Sequence, residues 1–394
     1  MLISELDLNN KKVLVRVDFN VPMNENHKVT DNTRIKRSIK TISYILKNGG
    51  TCILISHMGR PNGYEKSLSL KNIVRELEGL LNQKINFLND CIGEKVKKAC
   101  QKSKKGEIIL LENLRFYPEE QLGEINFAKE LSVLGDIYIN DAFGTAHRNH
   151  ASTGVLPTFF KGKKAMGFLL SKEVESIEKI LKNGQPPILS IIGGAKVSSK
   201  IEILKNLINV VDDLIIGGGM AYTFIKANGG EIGNSLFEEA FLKEAHKILL
   251  LAKNKNVNVN LPYDVVVSEK FSNDAIIETV DIYKIPKSME GLDIGPLTIK
   301  KFDKIILSSK TILWNGPLGV FEMPNFQNGT KQIALSIANA TNCGAFSLVG
   351  GGDSISAIKL FNMDDKFSYI STGGGAMLES IEGKVLPGIK AFLN

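Results

Sequence analysis

The sequence is poor in cysteine and contains no long hydrophobic run. Four cysteines are scattered along 394 residues, at positions 52, 91, 100 and 343, and no two of them have the close spacing of metal ligands. We therefore expect reduced, buried thiols. No apolar stretch approaches the ~18–20 residues that a bilayer-spanning helix needs, which argues against a membrane protein.

Aromatic residues are also scarce, and we recognise no targeting segment in the sequence. Aromatics make up 7% of the chain, and no aromatic RNA-binding motif is present. The net charge of +7 comes from lysines placed singly or in pairs along amphipathic stretches, which is typical of a solvated surface. Residues 1–5 form neither a basic leader nor an apolar signal core. We expect a cytoplasmic protein that binds neither nucleic acid nor membrane; a nucleic-acid-binding role would rest on the charge alone.

Several common catalytic motifs are missing as well. The chain has no G-x-x-x-x-G-K-[ST] Walker loop, no G-x-G-x-x-G fingerprint and no protein-kinase H-R-D or D-F-G set. It also shows no clear Ser-His-Asp arrangement and no His/Cys cluster at the predicted strand ends. A nucleotide, if bound, must be held in another way.

Short apolar runs recur along the whole chain, and helical patterns lie between them. Residues 33–47, for example, place isoleucine and leucine at helical spacing. Strands that alternate with helices predict an α/β fold with mostly parallel sheets. The predicted strands cover residues 13–17, 52–55, 108–111, 137–139, 188–192, 214–216, 265–267, 311–314 and 346–349.

The length predicts two domains, because 394 residues exceed what one hydrophobic core usually serves. We place the division near residue 170. Residues 171–183 predict a helix that begins at a Ser171 N-cap and ends before Gly184 and Pro186-Pro187. This helix would join two doubly wound, Rossmann-like parallel-sheet domains and act as a hinge.

In the first half, cations and hydrogen-bonding groups follow the predicted strands, where ligands of parallel sheets bind. A single arginine is typical of a surface ion pair, but four at strand ends predict a pocket for a small, highly anionic ligand. The residues at these ends are Asp18, Phe19, Asn20, Arg34, His57, Met58, Gly59, Arg60, Arg115, His147 and Arg148.

In the second half, glycine follows the strands, in the clusters 193–194, 217–219, 350–352 and 373–375. Glycine before a helix lets backbone N–H groups approach phosphate oxygens closely. One such cluster is better explained by a tight strand-to-helix turn, whereas four favour a phosphate-binding surface.

Three kinds of charged residue accompany these glycines. Lys196 and Lys200 lie four apart where a helix is expected to open, either as exposed lysines or as a phosphate clamp. Asp353 is the natural carboxylate for a magnesium nucleotide, and Glu322 suits ribose hydroxyls. An arginine-lined half and a glycine-lined half predict phosphoryl transfer by positioning and charge stabilisation.

The same motifs resemble those of the phosphoglycerate kinase family, in order and over essentially the whole chain. Residues 15–22, 56–61, 111–116 and 141–148 look like the family's substrate motifs, and residues 193–197, 291–296, 314–322, 350–354 and 371–376 look like its nucleotide motifs. The resemblance implies glycolytic transfer of a phosphoryl group between 1,3-bisphosphoglycerate and ADP, giving 3-phosphoglycerate and ATP with Mg²⁺. Another acyl-phosphate phosphotransferase, or a non-catalytic binding protein with both pockets, remains the alternative.

The resemblance also assigns roles to residues. Substrate would be held by Asp18, Phe19, Asn20, Arg34, His57, Met58, Gly59, Arg60, Arg115 and Arg148. Catalysis would involve Arg34, Lys196, Gly373, Gly374 and Gly375. The nucleotide would contact Gly193, Ala195, Lys196, Lys200, Gly217, Leu292, Asn315, Pro317, Glu322, Gly350, Gly351, Gly352, Asp353, Ser354 and Thr372, with Asp353 as the metal ligand.

The family organisation implies a phosphoglycerate-binding domain at residues 1–170 and a nucleotide-binding domain at 171–375. Residues 376–394 would form a tail that packs back on the first domain. The resemblance further implies a monomer.

Overall fold

A computed structural model describes residues 1–393 of the chain. The chain divides into two compact units, one formed by Met1–Glu175 together with Val385–Asn394 (unit 1), the other by Ser176–Lys384 (unit 2). Each unit contains a six-stranded parallel sheet flanked by helices, which confirms the predicted α/β class. Among the described residues no helix is both long and apolar enough to cross a bilayer.

The sheet of unit 1 has the strand order β3-β4-β2-β1-β5-β6. Its strands are β1 (Lys12–Val17), β2 (Thr51–Ile55), β3 (Ile85–Phe87), β4 (Ile108–Leu110), β5 (Ile137–Asp141) and β6 (Lys164–Met166). The helices are α1 (Thr33–Lys47), α2 (Val74–Leu81), α3 (Glu94–Lys102), α4 (Pro118–Leu122), α5 (Ile125–Ser132), α6 (Phe168–Leu181), which continues into unit 2, and the last helix, α14 (Pro387–Lys390).

Strand β1 shows why the apolar runs form the sheet centre. Val13, Val15 and Val17 pack into the hydrophobic cluster on one face of the sheet, and Leu14 packs into the cluster on the other. Strands that are covered on both faces read as continuous apolar runs, as in this sequence. Arg16 interrupts the run although its side chain is fully buried.

Helix α6 begins at Phe168, three residues before the predicted start, so the expected Ser171 N-cap is wrong. The cap is the carboxylate of Asp141, whose Oδ1 accepts from the backbone N–H groups of Leu169 (2.9 Å) and Leu170 (3.2 Å). Ser171 lies inside the helix and donates its hydroxyl to Gly167 O at 2.8 Å. A cap supplied by the distant strand β5 leaves no local sequence signal.

Unit 2 contains the helices α7 (Ile201–Leu207), α8 (Met220–Ala227), α9 (Leu242–Asn254), α10 (Pro296–Ser308), α11 (Asn328–Asn342), α12 (Gly352–Leu360) and α13 (Gly375–Ile381). Its strands are β7 (Ile188–Ile192), β8 (Asp213–Ile216), β9 (Glu231–Ile232), β10 (Asn258–Asn260), β11 (Asp264–Ser268), β12 (Ile277–Asp281), β13 (Lys284–Ile285), β14 (Glu290–Ile294), β15 (Thr311–Asn315), β16 (Phe346–Gly350) and β17 (Tyr369–Ile370).

The main sheet of unit 2 has the order β10-β8-β7-β15-β16-β17. The predicted strand at 265–267 is not part of it, which corrects the expectation of a parallel strand there. It forms β11, which pairs antiparallel with β12 and β14 in a separate three-stranded sheet. Val265 and Val267 are buried in a cluster of their own, so the run is apolar without belonging to the main core.

The cysteines follow the prediction with one exception. Cys52, Cys91 and Cys100 are buried free thiols, whereas Cys343 is exposed. Cys343 is the C-cap residue of α11 and lies in the exposed turn before Gly344, which has a φ of +96°.

Candidate active site

In unit 1 the loop after β1 and the first turn of α1 bring Asp18 and Arg34 together. Arg34 Nη1 lies 3.2 Å from Asp18 Oδ2 and donates to Asn20 O at 2.9 Å. The Arg34 side chain remains 39% exposed, against 10% for Asp18. The carboxylate therefore orients the guanidinium and leaves it accessible to a ligand.

The ends of β1, β2 and β4 are joined by hydrogen bonds through Gly59. The Asn20 amide oxygen accepts from Gly59 N at 2.9 Å, and Arg115 Nη1 donates to Gly59 O. Arg115 is 3% exposed, and its Nε and Nη2 have no partner within residues 1–393. Unpaired buried donors are costly, so these two nitrogens indicate an anionic ligand at this sheet edge.

Burial dominates the electrostatics of the two innermost groups. It lowers the pKa of Arg115 to about 10, with Arg16 and Arg148 as further causes. It also holds the pKa of His57 well below its usual range, helped by the charges of Arg16, Arg115 and Arg34. Arg115 stays cationic at neutral pH, and His57 stays neutral.

The remaining predicted residues of this half lie in different environments. The Phe19 and Met58 side chains are buried in the core, at 0% and 1% exposure. They therefore anchor the loops after β1 and β2 by packing. Arg60 is exposed. Arg148 lies beside His147, with its Nε 3.3 Å from His147 Nε2.

In unit 2 the glycine turns let backbone segments approach closely. A Cβ at Gly193 would lie 2.1 Å from Pro317 O, and one at Gly217 would lie 2.8 Å from the Leu318 side chain. The ends of β7, β8 and β15 therefore pack against one another through glycine. Close packing is therefore sufficient to explain these two glycines.

A cavity of about 570 Å³ opens beside these turns. Five predicted nucleotide residues line it: Ala195, Leu292, Pro317, Glu322 and Asp353. Its apolar wall includes residues that the sequence did not single out, namely Tyr222, Leu236, Phe271 and Met323. They come from separate elements without a shared motif, so no local pattern could have assigned them.

Asn315 connects two of the predicted positions outside the cavity wall, Lys200 and Gly350. Its Oδ1 contacts Lys200 Nζ, and its Nδ2 donates to Gly350 O at 2.8 Å. The hydroxyl of Ser354 accepts from Gly316 N at 2.7 Å. Burial lowers the pKa of Lys200, opposed by the charges of Asp353 and Glu382.

The prediction that a helix opens at Lys196 is wrong. Helix α7 begins at Ile201, so Lys196 is exposed in the preceding loop and Lys200 occupies the N-cap position. The carboxylate of Glu238 accepts from Ser198 N at 2.8 Å and from its hydroxyl at 2.6 Å, which holds this loop outside the helix.

The last two glycine clusters precede helices. Gly351 and Gly374 have φ of +95° and +49° and are the N-cap residues of α12 and α13. Asp353 lies exposed in the first turn of α12. The described part of the chain has no group of three or more His, Cys, Asp or Glu residues that could hold a metal. A single accessible carboxylate fits Mg²⁺ that is bound mainly through substrate phosphates.

Sequence reasoning did not single out Arg16, whose Nη2 lies 3.2 Å from His57 Nδ1. A charged residue inside a buried apolar strand is rare, and that signal is present in the run 13–17.

Comparisons with known proteins agree with these features. The sequence model of the phosphoglycerate kinase family matches residues 3–384. A phosphoglycerate kinase of Dictyoglomus turgidum is 49% identical over 383 residues, covering 97% of this chain and 96% of that protein. The relative named phosphoglycerate kinase 3, cytosolic, of Arabidopsis thaliana is 46% identical over 99% of this chain and 97% of its own length. The structure of phosphoglycerate kinase from Coxiella burnetii has a TM-score of 0.93 at 40% identity, covering 100% of this chain and 98% of that one.

Proposed function

The chain belongs to the phosphoglycerate kinase family, and from this premise we propose how its two units divide the substrates. The chain is a phosphotransferase with a carboxyl group as acceptor, and it moves a phosphoryl group between 1,3-bisphosphoglycerate and ADP in glycolysis. Another acyl-phosphate phosphotransferase is not favoured, because the matching relatives reported above are phosphoglycerate kinases.

The strand ends of unit 1 hold 3-phosphoglycerate or 1,3-bisphosphoglycerate. The observation that carries this assignment is Arg115, which is buried beside Gly59 and has two nitrogens without a partner within residues 1–393. A planar guanidinium matches phosphate and carboxylate oxygens, and it binds them most strongly where water is excluded. Arg34, Arg60 and Arg148 supply further positive charge.

The cavity of unit 2 holds ADP or ATP. Its apolar wall suits the adenine ring, and Glu322, exposed at the cavity wall, suits the ribose hydroxyls. The glycine turns before α12 and α13 present backbone N–H groups to the phosphates. Lys200 adds a positive charge whose position is set by Asn315.

Asp353 would hold Mg²⁺, which neutralises charge on the nucleotide phosphates when bound. Arg34 and Lys196 stabilise negative charge on the transferring phosphoryl group, together with the N–H groups of Gly373, Gly374 and Gly375. Preorganised charge of this kind is the main catalytic device of phosphoryl transfer. The acceptor carboxylate is ionised at neutral pH, so this residue set needs no general base.

The protein acts as a monomer in the cytoplasm and requires neither nucleic acid nor membrane. Support comes from the cytosolic name of the plant relative and from the scattered surface lysines. Light scattering of the purified chain and fractionation of its host cells test the two statements. A dimer at working concentration, or recovery with membranes, would contradict them.

A coupled assay with 3-phosphoglycerate, ATP and Mg²⁺ tests the function directly. We expect turnover with 3-phosphoglycerate and none with acetate or glycerate at equal concentration, because these acids lack the phosphate that the arginines bind. Equal turnover with acetate would overturn the substrate assignment.

A further inference from the structure

We propose that Arg16 is a positioning residue that holds His57 in the neutral tautomer with its proton on Nε2. The functional value of this arrangement rests on the proposed role of His57 in binding the acid substrate, whereas the tautomer itself follows from contacts within unit 1.

The first contact lies between the Arg16 guanidinium and the imidazole. Arg16 Nη2 is 3.2 Å from His57 Nδ1, and both side chains are buried, at 0% and 3% exposure. A guanidinium has only donors and keeps its proton in proteins. Nδ1 must therefore accept this hydrogen bond, and the single proton of the neutral ring is left on Nε2.

The alternative partner for Nδ1 is too far away. Asp18 Oδ1 lies 3.9 Å from Nδ1, beyond hydrogen-bond distance, so the carboxylate does not draw a proton to that nitrogen. The positive groups that face His57 are Arg16, Arg34 and Arg115, and His150 would join them if it were protonated. Together with burial they disfavour an imidazolium, and Asp18 is the negative group that opposes them.

Arg16 is anchored on its other side, so the contact with His57 has a fixed geometry. Its Nε donates to Ser152 Oγ at 2.9 Å, and Nη1 donates to Val17 O. The Ser152 hydroxyl donates a hydrogen bond to Glu120 Oε1, and the Ser152 backbone N–H donates to Oε2 at 2.9 Å. Glu120 is fully buried, so it balances the Arg16 charge through one serine.

The consequence concerns what His57 offers to a ligand. A neutral ring with Nδ1 occupied can present one N–H donor, at Nε2, and cannot act as an acceptor there. The contribution of His57 to substrate affinity should then stay constant from about pH 5.5 to 8, although free histidine titrates near pH 6.5.

Long-range ¹H–¹⁵N spectra of the imidazole rings test the inference on the full chain. The sequence has five histidines, and His57→Gln assigns the signals of His57 by their loss. We expect the pattern of the Nε2–H tautomer, without titration between about pH 5.5 and 8. An Nδ1–H pattern or an imidazolium at pH 7 would overturn the proposal, and this measurement needs no variant of Arg16.

Arg16→Met then tests whether Arg16 is the cause. We expect a mixed tautomer pattern, titration of His57 within the measured range, and a KM for 3-phosphoglycerate raised about tenfold at unchanged KM for ATP. Glu120→Gln is the matched control, because it alters the far end of the chain of contacts and leaves Arg16 beside His57. It should keep the Nε2–H pattern.

Should Arg16→Met fail to fold, Ser152→Ala is the milder variant, because it removes only the hydrogen bond that Arg16 Nε donates. It should increase the share of the Nδ1–H tautomer. An unchanged Nε2–H pattern in a folded Arg16→Met or Ser152→Ala would remove Arg16 as the cause. An Nε2–H pattern in the wild type combined with an unchanged KM in His57→Gln would instead contradict the substrate role of His57 and leave the tautomer assignment standing.

Discussion

Arg34 Nη1 lies 3.2 Å from Asp18 Oδ2, and the same nitrogen donates to Asn20 O at 2.9 Å. One nitrogen of the guanidinium is thus used to hold the side chain in place before any ligand arrives. Preorganised charge stabilises a transition state without reorganising at the moment of reaction. This relationship leads to the first prediction.

Arg34→Ala should lower kcat by orders of magnitude while ATP still binds, because loss of one preorganised charge costs about 3–4 kcal/mol. Steady-state kinetics with the coupled assay measures kcat, and calorimetry measures ATP binding. Lys36→Ala is the control, since Lys36 is exposed on the same helix. A kcat within about threefold of the parent would exclude the proposed role.

Asp353→Asn should weaken binding of Mg-ADP and leave the affinity for 3-phosphoglycerate unchanged, because Asp353 lines the cavity of unit 2 only. Separate calorimetric titrations of the two ligands measure this difference. Asp364→Asn, at an exposed carboxylate of the same unit, should change neither affinity. Equal losses for both ligands in Asp353→Asn would contradict the division of substrates between units.

Gly193→Ala should destabilise unit 2, because the new Cβ would lie 2.1 Å from the backbone oxygen of Pro317. Overpacking of this kind costs about 1–3 kcal/mol. The only tryptophan of the sequence, Trp314, is fully buried in unit 2, so its fluorescence during urea unfolding reports on that unit. A Cβ at Gly352 would meet no atom of residues 1–393 within 4 Å, and Gly352→Ala should unfold at the wild-type midpoint.

Asp141 should make the stability of unit 1 depend on pH. Burial raises the pKa of this carboxyl to about 7 in the folded chain, against about 3.9 when unfolded. Its contribution to stability is therefore complete below about pH 4 and is lost as the pH rises through about 7. Relative to Asp141→Asn, the wild type should lose up to about 1.4 kcal/mol of unfolding free energy per pH unit across this window.

Urea unfolding followed by circular dichroism at several pH values between about 4 and 8 measures the loss. The buried Asp293 also has a pKa raised to about 7 by burial, but both proteins contain it and its effect cancels. Glu25→Gln changes an exposed carboxylate of the same unit and should leave the pH dependence as in the wild type. A constant difference between wild type and Asp141→Asn at all pH values would show that Asp141 does not titrate in this window.

The sequence predicted the four central strands of each main sheet, because parallel strands buried on both faces leave continuous apolar runs. It did not predict the short edge strands β3, β6, β10 and β17. Every predicted run is a strand, as the run 13–17 in β1 illustrates. An apolar run does not show which neighbouring strand it pairs with, or in which direction. The run at 265–267 has the same apolar character as the others, yet β11 pairs antiparallel outside the main sheet.

The site was predictable to the extent that its residues follow strands directly. Asp18, His57 and Arg115 could be found in this way, because strand ends of a parallel sheet meet at one edge. The groups that hold these residues come from elsewhere in the chain. Ser152 lies 136 residues from Arg16, and the helix cap of α6 comes from Asp141, so spacing along the sequence could not reveal either contact.

The return of the chain to unit 1 has a consequence for biosynthesis. The buried Asn140 side chain donates to Gly388 O at 3.0 Å, which joins residues 248 positions apart in the sequence. Gly388 N in turn donates to Ala146 O at 2.8 Å. Phe392 stacks on the ring of Tyr138 in the same unit. A nascent chain carries all of Met1–Glu175 long before these partners exist, and until then Asn140 and Tyr138 lack them. We therefore expect unit 1 to complete its fold only after residues 385–393 have left the ribosome, although most of this unit is synthesised first.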